Sequence, residues 1–174
     1  MPDPIVEISA LLTTAGISHC LVGGYAVAVH GIPRQTVDID FLIALPATKT
    51  DDFTNLLRIK GYKATHRKTD LLDPLGDVFF VQTEVPVQLI CAKYQHHLAA
   101  IERAVLIDYS GQKIRVVTAE DLVIFKLKAG GPRDLWDAEN LLAFNQNLDL
   151  EYLLSVAKEL RVDRRLKSLI KRIR

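Results

Sequence analysis

The most regular pattern of apolar and polar positions in the chain lies between residues 36 and 43. Alternate residues of this segment would point to opposite faces of an extended strand, because the side-chain period of a strand is two. One face is wholly apolar: Val37, Ile39, Phe41 and Ile43. The other face is polar over most of its length: Thr36, Asp38, Asp40 and Leu42. The pattern predicts a β-strand that buries its first face and presents two carboxylates on its second.

Apolar stripes of helical and strand period alternate along the rest of the chain. They predict helices that begin near Asp3, Thr48, Lys93 and Thr118, with further helices towards the C-terminus. They also predict two strand hairpins, residues 77–82 with 85–91 and residues 105–108 with 113–117. This succession predicts an α/β (α+β) fold. We expect a mixed sheet flanked by helices over residues 1–117, with a helical region, residues 118–174, packed on that core.

Composition places the chain among ordinary globular proteins, since 49% of its 174 residues are hydrophobic and 25% are charged. A formal net charge of +1 gives no overall electrostatic case for a nucleic-acid partner. No apolar run approaches the roughly 20 residues that a membrane span needs, and the N-terminus lacks a signal-peptide pattern. Cys20 and Cys91 lie in apolar, strand-like runs and are predicted to be buried free thiols. We therefore expect a cytoplasmic protein with no membrane partner.

A glycine pair, Gly23-Gly24, separates a short apolar strand from a helix-like segment that ends at Gly31. Glycines at such a junction let backbone N–H groups approach a phosphate, where the helix dipole also favours negative charge. Asp38 and Asp40 would lie roughly 6–7 Å apart on one strand face, a span that a divalent cation can bridge. The two acids could equally lie on a solvated face or pair with arginines. The glycine pair upstream favours a metal–phosphate site.

Taken together, Gly23-Gly24, His30-Gly31 and Arg34-x-Thr36-x-Asp38-x-Asp40 resemble the signature of the minimal nucleotidyltransferases of the polymerase-beta-like superfamily. The branch most similar to this chain is the abortive-infection nucleotidyltransferase family, which includes toxins of type IV toxin–antitoxin systems. The resemblance implies a nucleotidyltransferase-like sheet.

The same resemblance implies an activity and a set of site residues. The activity would be binding of a nucleoside triphosphate such as ATP with Mg²⁺ (or Mn²⁺), and transfer of its nucleotidyl group to a hydroxyl of RNA, protein or a small molecule. Gly23 and Gly24 would contact phosphates, and Asp38 and Asp40 would be the catalytic metal ligands. Arg34 and Thr36 would belong to the nucleotide site by bracing the acid-bearing strand. A tRNA acceptor and a cognate antitoxin are further partners that the resemblance implies.

The strand predicted at residues 85–91 departs from the family pattern. The family carries a third carboxylate there, in a run such as V-D-L-I, whereas this chain reads Val87-Gln88-Leu89-Ile90. The oxygen of Gln88 can still be a metal ligand, but the amide brings no charge and cannot accept a proton as a base. Triphosphate binding should therefore survive better than transfer. The alternative is a catalytically weakened nucleotide-binding module or a toxin–antitoxin regulatory component.

The run EDLVIFKLKA, residues 120–129, resembles a family helix whose lysine points towards the nucleotide phosphates. By that resemblance Lys126 is a triphosphate contact. The pattern alone also allows an ordinary lysine that extends its ammonium group to solvent. A later R-D-x-x-D element makes Asp137 a candidate partner for Lys126.

The last predicted helix carries one strongly basic side: Arg164, Arg165, Lys167, Lys171, Arg172 and Arg174. A solvated face accounts for it, since cations suit a helix C-terminus. A basic helix could also hold an RNA acceptor, or mark a plain RNA-binding protein. The sequence leaves these alternatives open.

Overall fold

A computed structural model describes residues 3–69 and 76–173 of the chain. Its helices are α1 Pro4–Thr14, α2 Gly23–Val29, α3 Thr50–Ile59, α4 Gln95–Arg103, α5 Ala119–Ala129, α6 Pro132–Phe144, α7 Leu150–Glu159 and α8 Asp163–Ile173. Its strands are β1 His19–Val22, β2 Ile39–Ile43, β3 Lys63–Arg67, β4 Val78–Gln82, β5 Val87–Cys91, β6 Val105–Tyr109 and β7 Gln112–Val116. A short 3₁₀ turn, Ala47–Lys49, precedes α3. The prediction of a mixed α/β fold is confirmed.

Within the described residues the strands form one seven-stranded sheet in the order β3-β4-β5-β2-β1-β7-β6. The pairs β2–β5 and β1–β7 are parallel, whereas the other neighbouring strands are antiparallel. Strand β2, which carries Asp40, therefore lies between β5 and β1 near the middle of the sheet. This position gives the acid neighbours on both sides.

The two faces of the sheet differ in character. One face is packed with buried apolar side chains, including Phe41, Phe79 and Leu89, each completely buried. Phe53 of α3 meets Phe79 edge to face, with ring centroids 5.1 Å apart. Burial of apolar side chains is the main source of stability for such a sheet, because each Å² of apolar surface removed from water contributes about 25 cal/mol to the free energy of folding.

The predicted extent of the central strand is wrong at its N-terminal end. Val37 is 84% exposed and does not belong to the core face. The strand begins only at Ile39, whose backbone N–H donates to the Pro86 carbonyl oxygen over 2.8 Å. Before it, the Thr36 hydroxyl donates to the Asp38 carbonyl oxygen, a local turn-like bond that competes with strand pairing.

The chain divides into two compact units. The first consists of Met1–Tyr25 and Gln35–Val117 and contains the whole sheet. The second consists of Ala26–Arg34 and Thr118–Arg174. Helix α2 begins in the first unit and ends in the second, so neither unit is a continuous stretch of chain.

The second unit is helical, and its helices α5 and α7 begin at capped N-termini. The Thr118 hydroxyl accepts a hydrogen bond from the Asp121 N–H, and the Asp149 carboxylate accepts one from the Tyr152 N–H. Each bond satisfies a backbone donor that a helix N-terminus leaves open, in α5 and α7 respectively. The basic residues predicted on α8 are exposed from Arg164 to Arg172, while Arg174 lies outside the described residues. None of the helices that the structure describes combines the length and apolar character needed to cross a membrane.

Candidate functional site

The chain turns from β1 directly into α2 at the glycine pair, and only glycine fits at either position. Gly23 has φ +68°, a left-handed conformation, and a Cβ there would collide with the carboxylate of Asp40. A Cβ on Gly24 would lie 2.7 Å from both Cβ and Oγ1 of Thr36. The backbone at this turn is therefore pressed closely against the segment that bears the acids.

Asp38 is held by two neutral donors. The Thr36 hydroxyl, whose one proton is shared with the Asp38 carbonyl oxygen, lies 3.2 Å from Asp38 Oδ1, and the Gln88 amide Nε2 donates to Asp38 Oδ2 over 2.7 Å. Neither donor cancels the negative charge of the carboxylate, so these bonds fix its orientation and leave its charge available.

Asp40 and Gln88 are direct neighbours in the sheet. The parallel pairing of β2 with β5 places Asp40 opposite Gln88, and the antiparallel pairing with β1 places it opposite Val22. Gln88 thus occupies a place beside both acids, where a carboxylate would complete a group of three. We call the set Gly23, Gly24, Thr36, Asp38, Asp40 and Gln88 the acid corner.

The donor chemistry of the acid corner fits a hard divalent cation. Carboxylate and amide oxygens are the ligands that Mg²⁺ and Mn²⁺ prefer. Asp38 and Asp40 would hold the ion. Gln88 would join them only after a half-turn of its amide, which would replace its hydrogen bond to Asp38 with an oxygen ligand to the ion. The part of the chain that the structure describes contains no group of three or more His, Cys, Asp or Glu side chains suited to a metal ion. Two carboxylates would leave coordination positions on such a cation that phosphate oxygens of a ligand would fill.

Arg34 and Lys126, the other two predicted nucleotide contacts, meet around one buried carboxylate in the second unit. Asp137 is completely buried, and its Oδ1 lies 3.0 Å from Arg34 Nε while its Oδ2 lies 2.8 Å from Lys126 Nζ. Lys126 also contacts Asp134, with Nζ 3.1 Å from Oδ1. We call these residues the buried ion network. The predicted contact between Asp137 and Lys126 is present, and the roles of Arg34 and Lys126 towards a nucleotide stay predictions.

Sequence reasoning missed the contact between Arg34 and Asp137. The two residues are 103 positions apart, and no local pattern links them. A signal was nevertheless available: Asp137 follows a helix start rich in polar residues, yet falls on the same helical side as Leu141, one turn later. A buried acid at such a position requires a cation.

A second polar cluster, around Asp77, does not form a reactive site. Burial favours a higher pKa for Asp77, but hydrogen bonds from the Thr69 N–H, the His66 ring and the Thr69 hydroxyl outweigh it and lower the pKa. Burial, reinforced by the Asp77 charge, raises the pKa of the Cys91 thiol to about 12. Cys91 is buried and would carry little thiolate at neutral pH, so it is a poor nucleophile. Both cysteines are buried free thiols, as predicted.

The strand order and the flanking helices define a protein with a nucleotidyltransferase-like fold. More specifically, the chain belongs to the family described as "Nucleotidyltransferase of unknown function (DUF6036)", whose model matches residues 5–169. No curated protein sequence matches the chain.

Solved structures support the fold. An antigenic nucleotidyltransferase-like protein from Paracoccidioides brasiliensis is 22% identical, with TM-score 0.55, over 96% of this chain and 90% of that one. The lincosamide antibiotic adenylyltransferase LnuA is 18% identical, with TM-score 0.53, over 80% of this chain and 94% of that one. The antibiotic-resistance factor ANT(2'')-Ia is 16% identical, with TM-score 0.53, over 95% of this chain and 92% of that one. At these identities the likeness establishes the fold and leaves substrates open.

Proposed function

We propose that the acid corner binds a nucleoside triphosphate with a divalent cation, and that the protein transfers the nucleotidyl group to a hydroxyl. The observation that carries this proposal is the packing of Asp40 and Thr36 against the glycine turn, with Asp38 oriented by the neutral donors Thr36 and Gln88. Membership of a nucleotidyltransferase family supports it.

Each residue of the acid corner has a distinct task in this proposal. Because Gly23 and Gly24 have no side chains, the turn packs directly against Asp40 and Thr36, and its backbone would contact the phosphates of a triphosphate held by the cation. Asp38 and Asp40 hold the cation, which neutralises triphosphate charge when bound. Thr36 and Gln88 fix the orientation of Asp38.

The weak point of the proposed chemistry is the proton of the acceptor hydroxyl. Gln88 stands beside the two acids but has no basic site, so it cannot take this proton. Loss of an acid–base group typically lowers a rate by about 10²- to 10⁴-fold. We therefore expect slow transfer in the natural protein, with triphosphate binding largely intact.

The hydrogen bond from Gln88 to Asp38 also favours a second candidate function. An amide in this place ties one oxygen of Asp38 without adding charge, which suits a module that binds nucleotide and does not turn it over. A nucleotide sensor or a toxin–antitoxin regulatory component would use such a site.

Labelled nucleoside triphosphates, incubated with the protein, Mg²⁺ and either total RNA or total cell protein, separate the candidates. Covalent labelling that Asp38→Ala abolishes supports transfer. Calorimetry on the same samples measures binding. Magnesium-dependent binding without labelling supports the non-catalytic module, and absence of both refutes the two together.

A substitution at Gln88 tests whether only the acid is missing. Gln88→Asp should raise the transfer rate by about 10²- to 10⁴-fold if the scaffold is otherwise competent. Gln88→Asn is the matched control, because it shortens the side chain equally and restores no charge. If the two variants label equally, the missing carboxylate is not what limits transfer.

Finer assignments are proposals that rest on resemblance. The acceptor is RNA such as tRNA, a protein or a small molecule; two structural neighbours are described as an antibiotic adenylyltransferase and an antibiotic-resistance factor, which favours testing small hydroxyl compounds as well. Arg34 and Lys126 are proposed to serve the nucleotide. A toxin role predicts growth arrest on expression, relieved by a cognate antitoxin.

A further inference from the structure

One stretch of the first unit is strongly basic although the whole chain carries a net charge of only +1. Residues 53–69 include no Asp or Glu. Five cations in this stretch are exposed: Arg58, Lys60, Lys63, Arg67 and Lys68. Lys63 and Arg67 belong to β3, which forms one edge of the sheet.

The register of the sheet places this edge on the same face as the acid corner. Thr65 of β3 pairs with Phe80 of β4, Phe80 pairs with Gln88 of β5, and Gln88 pairs with Asp40 of β2. Directly paired residues of neighbouring strands point to the same face. Lys63 and Arg67 flank Thr65 at two-residue spacing, so they share that face as well.

The dimensions follow from the strand spacing of about 4.8 Å. Phe80 lies two strands from Asp40, about 10 Å, and the β3 side chains lie three strands away, about 14 Å. An aromatic ring thus stands between the acids and the cations. Phe80 is 37% exposed, whereas its neighbour Phe79 is completely buried on the other face.

A protective role for the charged edge explains only part of this arrangement. Exposed edge strands often carry lysine to prevent pairing with other chains. The opposite edge, β6, nevertheless exposes Val105 by 44% and Leu106 by 62%, so this protein does not protect both edges in that way. Protection also leaves the exposed ring of Phe80 unexplained. Bases of single-stranded nucleic acid stack on exposed aromatic rings while cations hold the phosphates.

We propose that Lys63, Thr65, Arg67 and Phe80, which we call the acceptor face, bind the end of a single-stranded nucleic acid. The last base stacks on Phe80, the preceding phosphates lie against Lys63 and Arg67, and the terminal hydroxyl reaches Asp38 and Asp40. This inference rests on the proposed function and names its acceptor. The hydroxyl oxygen bonds to the α-phosphorus, the bond from that phosphorus to the β-phosphate oxygen breaks, pyrophosphate leaves, and the hydroxyl proton passes to solvent.

Binding is measured by fluorescence anisotropy with the full chain and labelled RNA and DNA strands of about ten nucleotides. EDTA is present and triphosphate is omitted, so that binding is separated from catalysis. Phe80→Leu should weaken binding by about 5- to 150-fold, the equivalent of one stacked base, while Phe80→Tyr should bind like the natural protein. A preference between the RNA and DNA arms identifies which of the two supplies the end.

Charge reversal on two surfaces provides the matched control. Lys63→Glu with Arg67→Glu should weaken binding and lower the slope of log affinity against log salt by about 0.7 for each lost phosphate contact. Arg164→Glu with Lys171→Glu makes the same change on α8 and should leave binding unaltered. The proposal is overturned if only the α8 pair matters, if Phe80→Leu binds normally, or if the natural protein binds neither strand.

Failure of this inference can be told apart from failure of the proposed function. Asp38→Ala should bind the strands normally and lose transfer. Transfer to a small hydroxyl compound without strand binding would leave the proposed function standing and refute the acceptor face. Strand binding that depends on Phe80, with no labelling of the strand or of any other hydroxyl compound, would leave strand binding at the acceptor face standing and refute the proposed transfer.

Discussion

The acid corner and the buried ion network both contain paired acidic side chains, but they treat negative charge in opposite ways. In the buried ion network the carboxylate of Asp137 is completely buried and contacts the cations of Arg34 and Lys126. In the acid corner Asp38 is partly buried and receives its hydrogen bonds from a hydroxyl and an amide. One carboxylate is neutralised by the protein itself, and the other keeps its charge.

The difference separates structural from functional acids. A buried charge without a partner costs several kcal/mol, so Asp137 is bound to its cations in the folded state. Asp38 lies where solvent still shares in its hydration, and its neutral donors orient it without satisfying its charge. A positively charged ligand should therefore gain more electrostatic binding free energy at the acid corner than at the buried ion network.

The largest expected effect is at the acid corner. Asp38→Ala should lower the transfer rate by about 10²- to 10⁴-fold, because the cation loses a ligand and the triphosphate loses its counter-charge. The free energy of unfolding should change by less than about 1 kcal/mol, since Thr36 and Gln88 can turn to water. Single-turnover labelling and urea unfolding give the two numbers. A large loss of stability with normal transfer would reverse the comparison.

The next effect is expected at the buried ion network. Asp137→Ala should lower the free energy of unfolding by about 3–5 kcal/mol, because Arg34 and Lys126 would keep partly buried charges without this anion. Glu139→Ala is the control on the same helix. Its exposed pair with Arg172 should be worth about 0–1 kcal/mol. Urea denaturation measures both, and equal losses would show that the burial of Asp137 has no special weight.

A third change separates backbone strain from the position of Asp40. Gly23→Ala and Gly31→Ala both place a side chain at positive φ, +68° and +90°, which costs about 1–2 kcal/mol of stability. Only Gly23→Ala also pushes against Asp40, because nothing lies within 4 Å of a Cβ at Gly31. Calorimetry should therefore show weaker magnesium–triphosphate binding for Gly23→Ala alone. Equal binding by the two variants would contradict the close contact at the acid corner.

The smallest expected effect is a pH dependence of stability caused by His19, a buried histidine that contacts Ser9 and is uncharged in the folded protein. Burial, with a contribution from the Arg115 charge, lowers the pKa of His19 below 6.5 despite a hydrogen bond with the Ile17 carbonyl. The unfolded chain then binds a proton at a higher pH than the folded chain. Stability should be complete above about pH 6.5 and fall as the pH drops towards the folded pKa, by at most about 1.4 kcal/mol per pH unit.

Urea unfolding of the natural protein and of His19→Gln, at intervals of pH within this window, tests the dependence. Ser9 Oγ lies 2.9 Å from His19 Nε2, so the variant loses some stability at every pH. Its slope against pH should nevertheless be shallower than that of the natural protein. Parallel slopes would assign the pH dependence to other groups.

Local features of the fold were predictable because local interactions determine them. Asp3 and Thr118 cap helices through bonds to residues two or three positions away, and the glycine pair marks a turn between a strand and a helix. The hairpin strands follow from alternating side chains and a short polar turn. Val37 is the exception, since its apolar side chain fits the strand period while the bond from Thr36 to Asp38 delays the strand start.

Contacts between distant residues were not predictable from periodicity. Gln88 and Asp38 are separated by 50 positions, and their hydrogen bond depends on the parallel pairing of β2 with β5. The row from Thr65 through Phe80 to Asp40 depends on the register of four strands. Family resemblance could suggest which residues matter, but only the register shows that Phe80 shares a face with the acids.

The winding of the chain limits how the protein can be divided for experiments. A fragment that starts at Thr118 would lack the segment Ala26–Arg34, and with it the arginine that contacts Asp137. A fragment that stops at Val117 would carry that segment without Thr118–Arg174, the rest of the second unit. Truncation at a single site therefore leaves both products incomplete. Circular permutation or co-expression of overlapping pieces is the appropriate way to study either half in isolation.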